Sequence, residues 1–270
     1  MKRLKSNILM YLVTLYLVTL TGCNKPEDTS PAPALPQAVS IDMDGLSTFS
    51  SREKSASSNT DSSHYRKAWK YVHTWDSTST SFVRIPKLIL NEALHGNNAV
   101  YNAINDEWTW TYTKSIAGNG EFRAILTGKI TEDSIYWTMT VSSVNNSELI
   151  NFKWLEGQTD LKQTGGWWRL YEPYTKEAYL MINWGKESDA IKWIQYTNIS
   201  HTGPNKGNSI KYGTTGSTDY NAYFNISMVT PKANLKVEWN KTTFAGRLIL
   251  GGSIYGWDSN LNSLDDKSSE

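Results

Sequence analysis

Cysteine is almost absent from this sequence. Cys23 is the only cysteine among 270 residues, so the chain cannot form an intrachain disulfide bond. A disulfide-stapled fold and a zinc site built from several thiolates are both excluded. The thiol of Cys23 is therefore available for another use.

Histidines and clusters of basic residues are scarce too. The four histidines (His64, His73, His95 and His201) are scattered, and their spacing matches no metal-binding motif. No run of five or more basic residues occurs, so the electrostatic footprint of a nucleic-acid-binding protein is missing. We expect no metal, no cofactor and no nucleic-acid partner, and we assign no catalytic residue.

Long apolar runs are limited to one, at the N-terminus. The basic residues Lys2, Arg3 and Lys5 precede an apolar stretch from Ile8 to Leu20. That stretch is shorter than the roughly 20 residues that a transmembrane helix needs. A basic start, a short apolar stretch and small residues after it are typical of a cleaved export signal.

The end of this segment, Leu20 to Cys23, resembles the lipobox of bacterial lipoproteins. The resemblance implies a signal peptide at 1–22 and a mature chain that begins at Cys23, with a diacylglycerol on its thiol and usually a third acyl chain on the new N-terminus. Two or more acyl chains give durable anchoring. In lipoproteins of this kind, Asn24 in place of aspartate favours the outer membrane.

The side of the membrane stays open. Residues 25–28 resemble the surface-export signal of Bacteroidota lipoproteins, and a solvated charged linker is the alternative. Removal of the three basic residues of the signal would leave 24 basic and 26 acidic residues, a formal charge of −2.

Composition divides the mature chain into three parts. Residues 23–61 carry four of the eight prolines and many serines, so we expect a lipidated N-terminus and a flexible tether. Alternation between 41 and 49 is compatible with one short strand there. The folded domain is expected at 62–257, and 258–270 is expected to be a disordered polar tail.

Two helices are expected at the start of the domain. Tyr65, Ala68 and Val72 recur at intervals of three or four residues, which predicts an amphipathic helix at 63–75. Pro86 suits the first turn of a second helix, at 86–95.

Beyond Asn105 the apolar residues alternate with a period of two. This pattern predicts about eleven short strands separated by turn residues. We place them at 106–116, 121–131, 134–144, 148–156, 166–172, 178–185, 190–199, 208–214, 219–228, 234–240 and 243–250, with a further candidate at 252–257.

The short connections leave no room for parallel crossovers, so the strands form an antiparallel meander. About eleven strands exceed a comfortable flat sheet. We expect an all-β domain, curled into a barrel or half-barrel or split into a sandwich, with the helices as a cap. The architecture is similar to the half-barrel with a helical lid of periplasmic lipoprotein carriers and to lipocalins, without a shared motif.

Aromatic residues are abundant, with 12 tryptophans and 15 tyrosines. On strands they either line a ligand surface or fill the core of a curled sheet. Because Trp167 and Trp168 are adjacent on one strand, they must face opposite sides. The tryptophans proposed as ligand contacts are Trp110, Trp137, Trp154, Trp168, Trp184 and Trp193.

Together these features favour a non-catalytic binding module, anchored in the outer membrane through its diacylglycerol, for a lipid, a small apolar ligand or a glycan. One alternative is a cell-surface enzyme acting on polysaccharide, which would need two facing carboxylates. Its candidates on strands are Glu148, Glu156, Glu172 and Glu238. Another alternative is a structural or assembly partner of an outer-membrane complex.

Overall fold

A computed structural model describes residues 31–53, 61–93, 99–187 and 190–268, apart from the side chains at 148, 190, 267 and 268. The chain separates into two units, Met1–Ala32 and Pro33–Glu270, and the fold below is that of the second. Cys23 and the signal peptide lie outside the described residues, so lipidation stays a prediction.

Helices form the N-terminal part of this unit. A 3₁₀ turn at Ala38–Ser40 is followed by α1 (Asp44–Ser50), α2 (Ser63–Phe82) and α3 (Arg84–Ala93). Tyr65, Ala68, Val72 and Trp75 of α2 are buried, so one face of this helix packs inward, as the periodicity predicts.

Both predicted helices are present, with shifted ends. Helix α2 continues beyond residue 75 through a run of serines and threonines, which are weak helix formers. Their hydroxyl groups bond within the helix: Thr78 donates to the carbonyl of Thr74 at 3.0 Å, and Ser81 donates to that of Ser77 at 2.9 Å. Helix α3 begins at Arg84, and the end predicted at 95 lies outside the described residues.

Fourteen strands follow the helices within the described residues. They are β1 (Val100–Asn102), β2 (Glu107–Ile116), β3 (Gly120–Ile130), β4 (Ser134–Ser143), β5 (Phe152–Asp160), β6 (Gly165–Tyr171), β7 (Ala178–Glu187), β8 (Ala190–Asn198), β9 (Ser209–Thr214), β10 (Ala222–Met228), β11 (Ala233–Trp239), β12 (Gly246–Leu250), β13 (Ser253–Trp257) and β14 (Lys267–Ser268).

Each strand pairs antiparallel with the next one in the chain, which confirms the predicted meander. The sheet is not closed: β1 and β14 are its edges. These two short strands were not predicted. Strand β5 starts later than expected because Ser147–Leu149 forms a 3₁₀ turn and Asn151 adopts a positive φ of 50°.

The sheet curls around the helices. Glu92 of α3 forms an ion pair with Lys114 of β2, and Tyr65 of α2 lies 5.7 Å, between ring centroids, from Trp257 of β13. A flat sheet would separate β2 from β13 by roughly 50 Å at the usual strand spacing. Because α2 and α3 together would measure only about 45 Å even if they were collinear, the strands bend around the helical layer, as the sequence predicts.

The core lies between the inner face of the sheet and this helical layer. Alternate residues of the strands are buried there, for example Leu126, Met139 and Ile182. Gly157 of β5 makes room for a large neighbour, because a Cβ at this position would lie 2.3 Å from the ring of Trp168. Close packing of flat rings against small residues therefore fills the curled sheet.

The ends of the packed unit differ from expectation. Residues predicted to belong to the flexible tether are buried, including Ile41, Leu46 and Phe49, and 44–50 forms α1 instead of a strand. In the predicted tail, Leu261 is buried and the backbone N–H of Ser263 donates to the carbonyl of Asp61 at 2.7 Å. Both segments are held by apolar contacts with the sheet or the helices.

Candidate functional site

Five of the six tryptophans proposed as ligand contacts lie in the core. Each of these five residues is 3 % exposed or less: Trp110, Trp137, Trp154, Trp168 and Trp184. The indole N–H of Trp137 donates to Thr159 at 3.0 Å, and that of Trp168 donates to Ser40 at 3.1 Å. Their observed role is packing between the sheet and the helices, and a ligand contact at these positions stays a prediction.

The sixth, Trp193, lies half-buried on the outer face of the sheet. Its ring packs over Gly185, and the ammonium of Lys211 lies 4.4 Å from the ring centroid. Trp167 also faces outward and donates to Gln158 at 3.3 Å. This confirms that Trp167 and Trp168 point to opposite sides of the sheet.

A cleft opens where α2 crosses the ends of β7, β8 and β10. It encloses about 230 Å³. Helix α2 contributes Tyr71, Thr74, Trp75 and Thr78 to its wall. The strands and the loop between β8 and β9 contribute Tyr179, Asn198, Asn205, Asn208, Ile226 and Met228.

The helical wall follows from the period of α2. Residues 71, 74, 75 and 78 are spaced by three or four, so they share one side of the helix. Thr74 donates its hydroxyl proton to the carbonyl of Lys70 at 3.2 Å, and Thr78 donates to that of Thr74. The hydroxyl oxygens keep lone pairs that can accept hydrogen bonds from a ligand.

Tyr179 forms the aromatic side of the opposite wall. Its ring stacks on Phe82 of α2, with centroids 4.1 Å apart and an interplanar angle of 23°. Burial raises the pKa of the Tyr179 hydroxyl, and a hydrogen bond with Thr78 partly offsets this effect. The phenol is therefore neutral, and its contacts tie the helix to β7.

Three asparagines form the polar side of the cleft, and one of them, Asn205, is exposed at its rim. Asn198 at the end of β8 accepts hydrogen bonds at Oδ1 from the backbone N–H and the hydroxyl of Ser200, at 3.0 and 2.6 Å. Asn208 accepts the backbone N–H of Val229 at 2.8 Å and donates through Nδ2 to Oδ1 of Asn205 at 3.3 Å. Backbone donors thus fix which end of these amides is oxygen.

The lining carries no acidic, basic or histidine side chain among its described residues. Aromatic rings, amides and hydroxyls make it polar without making it charged. Such a surface can stack on and hydrogen-bond to a neutral polar ligand, whereas an ionic ligand would find no counter-charge. Within the described ranges, no three His, Cys, Asp or Glu side chains come close enough to hold a metal ion.

Of the glutamates considered for an enzyme, Glu156, Glu172 and Glu238 are not among the residues that line the cleft. Burial favours a higher pKa for Glu156, but hydrogen bonds from Lys153 and Tyr171 and the charge of Arg169 outweigh it and lower the pKa. The same balance, with different donors, lowers the pKa of Glu238 and of Glu172. The side chain of Glu148 is not described. A general acid needs a raised pKa instead.

The sequence analysis did not identify the cleft residues, because their local patterns are typical of a turn and of an amphipathic helix. Pro204 to Gly207 is a turn signal, and Tyr71, Thr74 and Thr78 lie beside the buried stripe of an amphipathic helix. The asparagine-rich stretch 198–208 was the one available sequence signal, because a turn does not need three asparagines.

Comparisons with protein-family models, with curated proteins and with solved structures give no match to this chain. In the residues that the structure describes, none of the helices has both the length and the apolarity needed to cross a bilayer.

Proposed function

We propose that this protein is an outer-membrane lipoprotein that binds a neutral glycan, without turnover, in the cleft between α2 and the ends of β7, β8 and β10. The observation that supports binding of a glycan is the chemistry of the lining, which combines aromatic rings, amides and hydroxyls and has no charged group among its described residues. Sugar rings present apolar faces and hydroxyl edges, which match this combination.

The size of the cleft favours one ring. Its 230 Å³ falls below the roughly 300–1,000 Å³ of pockets that enclose drug-sized ligands. A single monosaccharide unit, at the end of a glycan or along it, fits such a site. The rest of the glycan would extend into solvent past Thr74 and Asn205, which are both exposed at the rim.

Binding without turnover is favoured over hydrolysis for a chemical reason. Hydrolysis of a glycosidic bond generally uses two carboxyl groups on either side of the bond, and the described lining offers amides and hydroxyls instead. A lipid or apolar ligand is favoured less, because the inner face of the sheet is filled by tryptophan and aliphatic side chains.

Attachment to the membrane rests on the lipobox at Leu20 to Cys23. The anchor would hold the glycan-binding domain at the outer membrane, on the periplasmic or the cell-surface side. In this role the domain retains a glycan near the membrane, and the acyl chains supply the membrane affinity.

A partner of an outer-membrane complex is the second candidate, supported by the hairpin of β1 and β2. Val100 on the edge strand is 68 % exposed, and Ile104 in the turn is 94 % exposed. Apolar side chains beside an unpaired strand edge are a recognised means of joining another chain. This surface is separate from the cleft residues.

A glycan array probed with the purified full-length protein tests the proposal, together with two variants of α2. Thr74→Trp places a large ring in the mouth of the cleft, whereas Ser77→Trp adds the same ring at an exposed site of the same helix that does not line it. We expect neutral glycans to bind to the wild type and to Ser77→Trp but not to Thr74→Trp. Equal binding by both variants, or no glycan bound by the wild type, would refute the proposal.

Turnover is checked on the same samples. Incubation of each bound glycan with the wild-type protein, followed by mass spectrometry, should return the glycan intact. Release of shortened products would favour the polysaccharide-acting enzyme instead.

A further inference from the structure

We infer that the cleft selects a sugar that carries an acetamido group, such as an N-acetylhexosamine. This inference rests on the proposed function and adds the chemical class of the ligand. It comes from a surplus of N–H donors at the site and from the apolar side chains beside them.

The first donor is the amide of Asn198. Its Oδ1 is occupied by the two hydrogen bonds from Ser200, and since one of these comes from a backbone N–H, the oxygen end of the amide is identified. Within the described residues Nδ2 of Asn198 has no hydrogen-bond partner, although only 7 % of the residue is exposed. The amide nitrogen keeps some contact with the open cleft, so an acceptor on a ligand can reach it.

The second donor is the side-chain amide of Asn205, whose orientation follows from its hydrogen bond with Asn208. The backbone N–H of Val229 fixes Oδ1 of Asn208, so Nδ2 of Asn208 points to Oδ1 of Asn205. The remaining group of Asn205 is its own N–H₂, which has no partner in the described part of the chain. The amides of Asn198 and Asn205 therefore present protons and not lone pairs on the polar side of the cleft.

The third donor is the indole N–H of Trp75. It has no partner among the described residues, 7 % of the residue is exposed, and the residue lines the cleft. Ile226 and Met228 of β10 lie on the same wall and are apolar. The cleft thus places N–H donors next to an apolar surface.

An acetamido group has the complementary pattern. Its carbonyl oxygen only accepts hydrogen bonds, and its methyl group can contact Ile226 and Met228. A hydroxyl group in the same place brings a proton of its own, which needs an acceptor, and has no methyl group to bury. A site that holds a specific polar group discriminates strongly against an analogue that lacks it, because its own donors then stay unpaired.

Calorimetric titration with two disaccharides tests this inference on the purified full-length protein. N,N′-Diacetylchitobiose and cellobiose share their backbone and linkage and differ at the acetamido groups. We expect diacetylchitobiose to bind at least about tenfold more tightly, which corresponds to one satisfied hydrogen bond and a buried methyl group.

The variant Asn205→Asp keeps an oxygen to accept from Asn208 but replaces the N–H₂ donor with a second oxygen. We expect it to reduce the preference for diacetylchitobiose by about tenfold. Asn225→Asp is the matched control, because Asn225 is exposed on the outer face of β10 and should keep the wild-type preference. Thermal melting of both variants verifies that they fold.

The outcomes separate this inference from the proposed function. Equal affinity for the two sugars, or an unchanged preference in Asn205→Asp, would overturn acetamido selection while leaving glycan binding in place. Binding of neither sugar, with other neutral glycans bound on the array, also overturns it. No binding to any glycan would refute the proposed function itself.

Discussion

The hydroxyl of Tyr196 on β8 donates a hydrogen bond to the backbone carbonyl of Ile41 at 2.7 Å. The same oxygen accepts the backbone N–H of Met43 at 2.9 Å. The side chain of Tyr196 is fully buried, so one phenol satisfies two buried backbone groups of the segment that leads into α1. Through this contact the N-terminal segment becomes part of the core.

Replacement of Tyr196 by phenylalanine should lower the free energy of unfolding by about 1–3 kcal/mol, because the carbonyl of Ile41 and the N–H of Met43 stay buried without partners. Urea denaturation measures the change. Tyr136→Phe removes a hydroxyl from a side chain that is 46 % exposed on β4, and its effect should stay within about 0.5 kcal/mol. Equal effects of the two substitutions would mean that Tyr196 does not hold the segment.

Replacement of Gly157 by alanine should destabilise the sheet by about 1–3 kcal/mol or more through overpacking. The added Cβ would lie 2.3 Å from the ring of Trp168 and 2.3 Å from the carbonyl oxygen of Trp167. Gly216→Ala is the control, since a Cβ there meets nothing within 4 Å. Thermal unfolding that is unchanged in Gly157→Ala would contradict the tight packing of β5 against β6.

The ion pairs of Glu238 should make stability depend on pH. Burial tends to raise the pKa of Glu238, but hydrogen bonds and charges of Lys236 and Arg247, at 2.6 and 2.7 Å, lower it overall. A lowered pKa in the folded state contributes stability above the unfolded value of about 4.3. That contribution is lost as the pH falls through the folded pKa.

Glu238→Gln should therefore be less stable than the wild type by about 1 kcal/mol at neutral pH. The difference should shrink as the pH falls below about 4. Urea denaturation across this range measures it, with Glu121→Gln, at an exposed position of β3, as the reference. A difference that stays constant down to the acid limit would show that the charge of Glu238 does not act through these pairs.

Replacement of Cys23 by alanine should release the protein from membranes, because the thiol is the predicted site of the diacylglycerol and the acyl chains supply the affinity. Fractionation of cells that express the wild type or the variant measures the partition. If Cys23→Ala still sediments with membranes, acylation is not what holds the protein there.

The sheet could be predicted from the sequence because each strand buries one face. In β4, Trp137, Met139 and Val141 alternate with Thr138 and Thr140, and the inward and outward positions follow that alternation. Such a pattern determines the strand type and, with short turns, the antiparallel pairing. It does not determine curvature or closure, and only the strand pairing in the structure shows that the sheet is not closed into a barrel.

The cleft could not be predicted from the sequence because it depends on contacts between distant parts of the chain. Trp75 and Ile226 meet only when α2 crosses the strand ends, and no local pattern encodes that crossing. The role of α1 was missed for a similar reason: the apolar residues 41–49 follow a proline-rich stretch, and only their burial under the sheet shows what they do. The tryptophans posed the reverse difficulty, because a ring that packs a core and a ring that binds a sugar look alike in sequence.

The claim that the cleft is the glycan site is tested most directly by NMR on the full-length protein with ¹⁵N-labelled tryptophan. Titration with N,N′-diacetylchitobiose should shift the indole N–H resonance of Trp75, which lines the cleft, and leave that of Trp193, on the outer face, in place. A shift of Trp193 without one of Trp75 would move the site to the outer face, and unchanged resonances at saturating sugar would contradict glycan binding at the cleft.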